Sequence, residues 1–305
     1  MNAVSDAFRS ARIHARQLMA ASDDAGLRWL ETTITDVALA YAARAVRVVP
    51  FTQRQEARVG ADWVWWWVDS SGSYGMLVQA KRVTIVGSVW KFGFDYKVRT
   101  TGEIQRHLLI KSATAMDLAP VYALYLGTPD YRERVPCSTN HRSGYCVECV
   151  KRTISLMPAL LAEIVIVNDA WSTYERSVAL EDLWKPSRGQ PHLIPALDRK
   201  TSPKLRQFLK TPQNGARAIV RSMIDPILAA RAGAFSDSPA HLVNAPTGRH
   251  DALPRVFEEL PSDEGHWDVN YFEQVVGPLR QVPPAYVLEI LSGEGDEARL
   301  ATIMP

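Results

Sequence analysis

Cysteine is scarce in this chain: three residues in 305, all within one short segment. So few thiols, odd in number, exclude a disulfide framework and fit a reducing compartment. Long apolar runs are missing too. None approaches the ~20 residues that a bilayer-spanning helix needs. The opening stretch, MNAVSDAFRSARIHARQ, has no apolar core of the kind a secretory signal carries. The expectation is a cytoplasmic protein with no membrane partner. Repeats and heptads are absent, and the glycine pairs Gly87/Gly93 and Gly293/Gly295 are too sparse for a phosphate-cradling loop. A strong charge of one sign is also missing. The net charge of +2 singles out no nucleic-acid partner by itself. Its distribution is uneven, with a basic stretch from Arg199 to Arg221 and a mostly acidic one from Asp251 onward. That asymmetry fits a substrate-facing basic segment or, equally, solvated helix faces. With 47% hydrophobic residues the chain can bury one large core or two modest ones.

What is present concentrates between Glu56 and Arg82, EARVGADWVWWWVDSSGSYGMLVQAKR. Val64 to Val68 is an aromatic and β-branched run suited to a largely buried strand. Asp69 to Ser73 is turn chemistry. Met76 to Val83 reads as the returning strand of a hairpin whose loop is longer than the tightest type. Gln79 and Lys81 alternate with Ala80 and so project to one face. Asp62 stands at the mouth of the facing strand, within reach of both. This arrangement suits a hard divalent cation, Mg²⁺ or Mn²⁺, held by oxygen ligands and several waters. Asp62 is the main anionic ligand, with the Gln79 amide oxygen or the Ala80 carbonyl completing the set. Lys81 orients the attacking water and offsets charge that builds on a phosphate.

Upstream, Asp24 to Arg44 reads as an amphipathic helix with Leu27, Leu30, Ile34, Val37, Ala38 and Tyr41 at helical spacing. Ser22 or Asp23 would cap its start. Glu31 borders that stripe, and two readings stand open: a solvated helix face, or a site member holding the metal through a water. Glu56 reads as an exposed loop acid, joining the site only if the segment before Gly60 folds back over it.

In type and order, Glu31, Asp62 and Gln79-Ala80-Lys81 resemble the PD-(D/E)XK nuclease superfamily, in the variant where Gln replaces the acid before x-Lys. The QAKR run resembles Mrr-type restriction endonucleases. The wider GADWxWW…QAKR pattern resembles a set of uncharacterised bacterial proteins, some expected in phage-defence neighbourhoods. The resemblance covers about the first half of the chain. It implies an α/β, restriction-endonuclease-like core with a central mixed sheet flanked by helices, in α-β-β-β-α-β order. Mg²⁺-dependent phosphodiester hydrolysis follows, on DNA, with a place in defence against foreign DNA. Glu31, Asp62, Gln79 and Lys81 become the catalytic set, with Asp62 and Glu31 on the metal. Gln79 departs from the commoner acid, which removes one anion and weakens a two-metal arrangement. Two other readings use the same residues: a non-catalytic nucleic-acid-binding protein on a decayed nuclease core, and an effector subunit silent until a partner or small signal activates it. A homodimer or a defence-system partner is compatible with each.

Downstream, Gly102 to Asp117 reads as a helix and Ala119 to Gly127 as a buried strand. Lys81, Arg82, Lys91, Lys97, Arg99, Arg106 and Lys111 give this region a positive bias that a phosphate backbone would meet. Arg82, Gln105 and Arg106 are the expected substrate contacts. The three cysteines lie in CSTNHRSGYCVEC, where Cys137, His141, Cys146 and Cys149 have the ligand types to close a tetrahedron around Zn²⁺. A structural knuckle is the favoured reading over a loop with small buried cysteines. Ile154 to Val167 reads as a helix from near Pro158 leading into a short strand. Lys204 to Leu228 reads as helix in two pieces, broken at residues 211–215, and Tyr286 to Leu291 as a late strand. The expected organisation is a nuclease core over 1–130, a Cys/His knuckle over 131–152, and a mixed α/β extension over 153–305. That extension has an irregular loop near 233–254 and can complete the same sheet.

Overall fold

The structure, a computed structural model, describes residues 3–50, 53–69, 72–87, 89–98, 102–132, 146–164, 170–184, 216–233 and 248–250. Helix α1 (Ala3–Asp24) opens it, burying Ala7, Phe8, Ala11, Ala15 and Met19 at spacings of three and four that define one face. The next helix, α2, spans Glu31–Ala42. It begins later than the apolar spacing predicts, because the chain turns at Gly26 with a φ of +66°. Leu27 and Leu30 consequently stand exposed rather than in a core stripe. The Ser22 hydroxyl donates back to the Leu18 carbonyl within α1 and does not cap α2.

Strand β1 (Arg47–Pro50) and the short helix α3 (Gln53–Val59) lead into the hairpin of β2 (Trp63–Asp69) and β3 (Gly72–Arg82). Asp69 pairs with Gly72, so the connection is two residues, tighter than expected from the run of turn formers. A small separate hairpin, β4 (Thr84–Val86) with β5 (Val89–Lys91), precedes α4 (Gln105–Met116) and β6 (Ala119–Tyr125). Then come α5 (Val147–Lys151), β7 (Ile154–Pro158), α6 (Leu161–Ile164), α7 (Ala170–Arg176), β8 (Val178–Ala179) and a 3₁₀ turn at Leu180–Asp182. The last described elements are α8 (Ala216–Gly233) and β9 (Arg249–His250). At Pro158 the predicted order is reversed: the strand comes first and the helix follows. Residues 154–158 are buried without alternation, the signature of a strand covered on both faces.

Among the described residues, the main sheet has seven strands in the order β1-β2-β3-β6-β7-β8, with β9 against β3. Of these, only β3 and β6 run parallel; α4 lies on the crossover between them, as such a connection requires. The sheet is therefore mixed and flanked by helices, an α/β architecture. Strands β7, β8 and β9, all from beyond residue 152, join it.

Register assigns the two faces. Trp63, Trp65 and Trp67 share one face with Tyr74, Met76, Val78 and Ala80 of β3. Phe8 of α1 meets that face, its ring 5.8 Å from Trp65 and 5.5 Å from Trp67. Each such pair adds roughly 0.5–1.5 kcal/mol beyond area burial. Thr35 of α2 reaches Tyr125 on the same side, oxygen to oxygen 2.8 Å. The opposite face presents Gln79 and Lys81 and is met by α4. Among the described residues, no helix is long and apolar enough to cross a membrane.

Candidate active site

Asp62 sits one residue before β2 and is fastened to β3 twice. Its N–H donates to the Val78 carbonyl at 2.8 Å, and its Oδ2 accepts the Ala80 N–H. The loop that delivers it bends at Gly60, whose φ of +73° disfavours any other residue. There the backbone passes so close to α4 that an added Cβ would lie 2.9 Å from the Leu109 nitrogen and 3.0 Å from the Gln105 carbonyl.

Lys81 projects from β3 toward that same first turn of α4, where its Nζ donates to Gln105 Oε1 at 2.9 Å. Gln105 thus holds the lysine, a contact made from the helix that the positive bias pointed to. Glu31, the first residue of α2, accepts the Arg82 N–H at 2.7 Å, so the helix start is tied to the last residue of β3. Glu31, Asp62 and Lys81 therefore gather at one end of the sheet.

Glu56 joins them. It lies on α3, half-buried, where an exposed loop acid was expected. Its carboxyl hydrogen-bonds to that of Asp62. The Asp62 carboxyl is pushed well above the usual carboxylate range, first by burial and then by Glu56, with Glu31 adding to it and the Ala80 N–H opposing. Glu31 is raised as well, by burial first, against the pull of Lys81, the Arg82 N–H and the Arg82 charge. Beneath them the buried Tyr125 phenol is pushed up chiefly by its burial. The signal for Glu56 was its position six residues before Asp62, which one short helix folds back.

Gln79 lies on the Lys81 face, 1% exposed, and both its amide atoms are without a hydrogen-bond partner among the described residues. An amide so placed is costly unless something meets it. The other expected contacts separate. Arg82 turns to the opposite face, where its Nη1 donates to the Trp29 carbonyl at 2.6 Å and its guanidinium lies 5.5 Å from the Trp29 ring centroid. Burial, then the neighbouring Arg28, lower its pKa. Arg106 is buried, donating to Asp95 at 3.0 Å and to the Ala162 carbonyl at 3.4 Å, so it braces α4 from within. Lys91 and Lys97 are exposed, Lys111 is half-buried, and Arg99 lies outside the described residues. Among the described residues, Arg82 and Arg106 are thus engaged away from the Lys81 amine.

A family model described as a family of unknown function, DUF6615, matches residues 4–304. The chain belongs to that family. No curated protein and no solved structure matches it.

For this DUF6615 chain the fit of a divalent cation rests on donor chemistry. The acids at the sheet end are hard oxygen donors, and burial with mutual repulsion already disfavours their charge. A cation would relieve that. Among the described residues no three His, Cys, Asp or Glu side chains are arranged to hold one ion. Mg²⁺ does not require three, since it commonly takes one or two carboxylates and keeps its waters. Asp62 with Glu56 or Glu31 fits that need, and the orphaned Gln79 amide faces the Lys81 side. Of the residues expected to hold zinc, Cys137 and His141 lie outside the described residues. Cys146 and Cys149 are buried, neither is in a disulfide, and the Cys149 sulfur lies 3.3 Å from the Tyr174 hydroxyl.

Proposed function

We propose that this protein is a metal-dependent nuclease with a restriction-endonuclease-like core, hydrolysing phosphodiester bonds of DNA in the cytoplasm and serving defence against foreign DNA. The observation that carries the reading is the convergence of Asp62, Lys81 and Glu31 at one end of β2 and β3, from three separated stretches of chain. Glu56 supports it by doubling the carboxylate beside Asp62.

Asp62 and Glu56 or Glu31 would hold Mg²⁺ or Mn²⁺. When bound, such an ion polarises phosphoryl oxygen and lowers the pKa of a coordinated water. The chain's own residues supply the rest. Lys81 has one N–H on Gln105 and two more to direct at a phosphate oxygen and the attacking water. Its fixed charge offsets the negative charge that grows as water adds to phosphorus and the bridging P–O bond breaks. Gln79 offers an amide to the same side. A structural Zn²⁺ held by Cys137, His141, Cys146 and Cys149 is part of the same proposal, and metal analysis of the purified protein tests it directly.

Supercoiled plasmid incubated with the protein and Mg²⁺ or Mn²⁺ tests the main reading. Wild type is expected to nick, and Asp62→Ala and Lys81→Ala to lose about 10²-fold or more. Equal cleavage by all three proteins sinks the assignment. An intact plasmid in every tube moves the case to a binding-only protein or a subunit awaiting its activator.

A further inference from the structure

A pocket of about 290 Å³ opens on the face of the sheet opposite Lys81, between the turn after α1 and β4. Two of its lining residues are arginines. Arg82 lies over the Trp29 ring and donates to the Trp29 carbonyl. Arg28 is exposed and close enough to press its own positive charge on Arg82. Like charges brought together this way call for an anion between them, and guanidinium forks match phosphate oxygens in geometry.

The one acid in the lining, Asp23, can offset at most one of the two arginine charges. Burial raises its pKa first, a hydrogen bond from the Trp29 side chain opposes that, and Asp24 adds to the upward shift. Its Oδ2 has no partner among the described residues. The remaining walls suit a flat ring. Leu27, in the α1–α2 connection, is 66% exposed and Val86, on β4, 65%, and Tyr131 offers an aromatic surface beside Trp29. Exposed large apolar side chains flanking paired arginines are the combination that takes a base and its phosphate together. The size matches the lower end of small-molecule sites.

We propose that this pocket binds a nucleotide, its phosphate on Arg28 and Arg82 and its base against Leu27, Val86 and Tyr131. It rests on the nuclease reading in one respect, the choice of a nucleotide among phosphate-bearing ligands. Arg82 links the two places, since its backbone N–H holds Glu31 while its side chain enters the pocket. The ligand is either the phosphorylated end of a strand or a free mononucleotide.

Fluorescence anisotropy and calorimetry with the full chain in EDTA read binding without turnover. The probes are a single-stranded oligonucleotide with phosphate or hydroxyl at both ends, and AMP against adenosine. At least tenfold tighter binding of the phosphorylated member in either pair is expected, lost in Arg28→Glu and kept in Asp62→Ala and Lys81→Ala. Preference within the oligonucleotide pair alone marks a strand end as ligand, and within the AMP pair a free nucleotide. Arg28 is exposed, so its variant should fold, and an unchanged circular dichroism melt checks this. Equal binding within both pairs overturns the proposal, as does a preference that survives Arg28→Glu. A preference that vanishes in Lys81→Ala moves the phosphate to the active site and also overturns it. Plasmid cleavage is independent of all these readouts, so the nuclease reading and the pocket fail separately.

Discussion

Asp62 carries a conflict that can be measured without any substrate. Its carboxyl is held above the usual carboxylate range by burial and by Glu56, so the folded protein keeps a proton that the unfolded chain has released. For an acid raised on folding, stability is fullest below the ordinary carboxylate range and falls as pH rises toward the folded pKa. Asp62→Asn removes that loss while keeping an oxygen for the Ala80 N–H. In EDTA, the variant is expected to melt above wild type at pH 7, with the gap narrowing toward pH 4. A gap that is absent or grows on acidification refutes the account. Asp62 and Lys81 were legible in the sequence because turn chemistry and strand alternation fix their neighbours. Glu56 was legible only as a conditional neighbour, since its place beside Asp62 depends on a seven-residue helix whose sequence, QRQEARV, has no apolar face to announce it. Arg82 parts from Lys81 because adjacent residues on a strand face opposite ways.

Among elements, the contact between the Gly60 bend and the first turn of α4 sets the site. That turn carries Gln105, which holds Lys81, while the bend delivers Asp62. Gly60→Ala adds a Cβ against helix backbone at a left-handed position, and is expected to cost about 1–3 kcal/mol in chemical denaturation. Activity should fall further than stability, because the two halves of the site are pushed apart. A variant as stable and active as wild type would show that the bend is tolerant. The hairpin and the α4–β6 pair were readable from β-branched, aromatic and apolar spacing. Helix α1 was not recognised, because its alanine-rich buried face gives a weak apolar signal. The start of α2 was placed early because Leu27 and Leu30 fit the helical period yet sit on an exposed turn.

At the scale of the molecule, distant stretches close on one another. Arg12 of α1 donates from Nε and Nη2 to Glu181 Oε2 at 2.9 and 2.8 Å, with side chains 11% and 7% exposed. Breaking a buried pair from one side leaves a naked charge, so Arg12→Ala is expected to lose about 3–5 kcal/mol. The double variant Arg12→Met with Glu181→Leu should recover most of that in urea denaturation. No recovery would mean that the pair is more than a charge match. Such pairings have no local signature, which is why α1 and the 3₁₀ turn could not be joined from sequence.

Strand β9 carries the same principle into biosynthesis. It pairs with Ser73 and Tyr74, both 2% exposed in the finished fold, beyond the point where β6 begins its own pairing at Met76. A ribosome adds ~5–20 residues per second, so on the order of ten seconds separates the emergence of β3 from that of its last partner. Through that interval a nascent chain carries an unpaired strand edge, the kind of surface that chaperones grip.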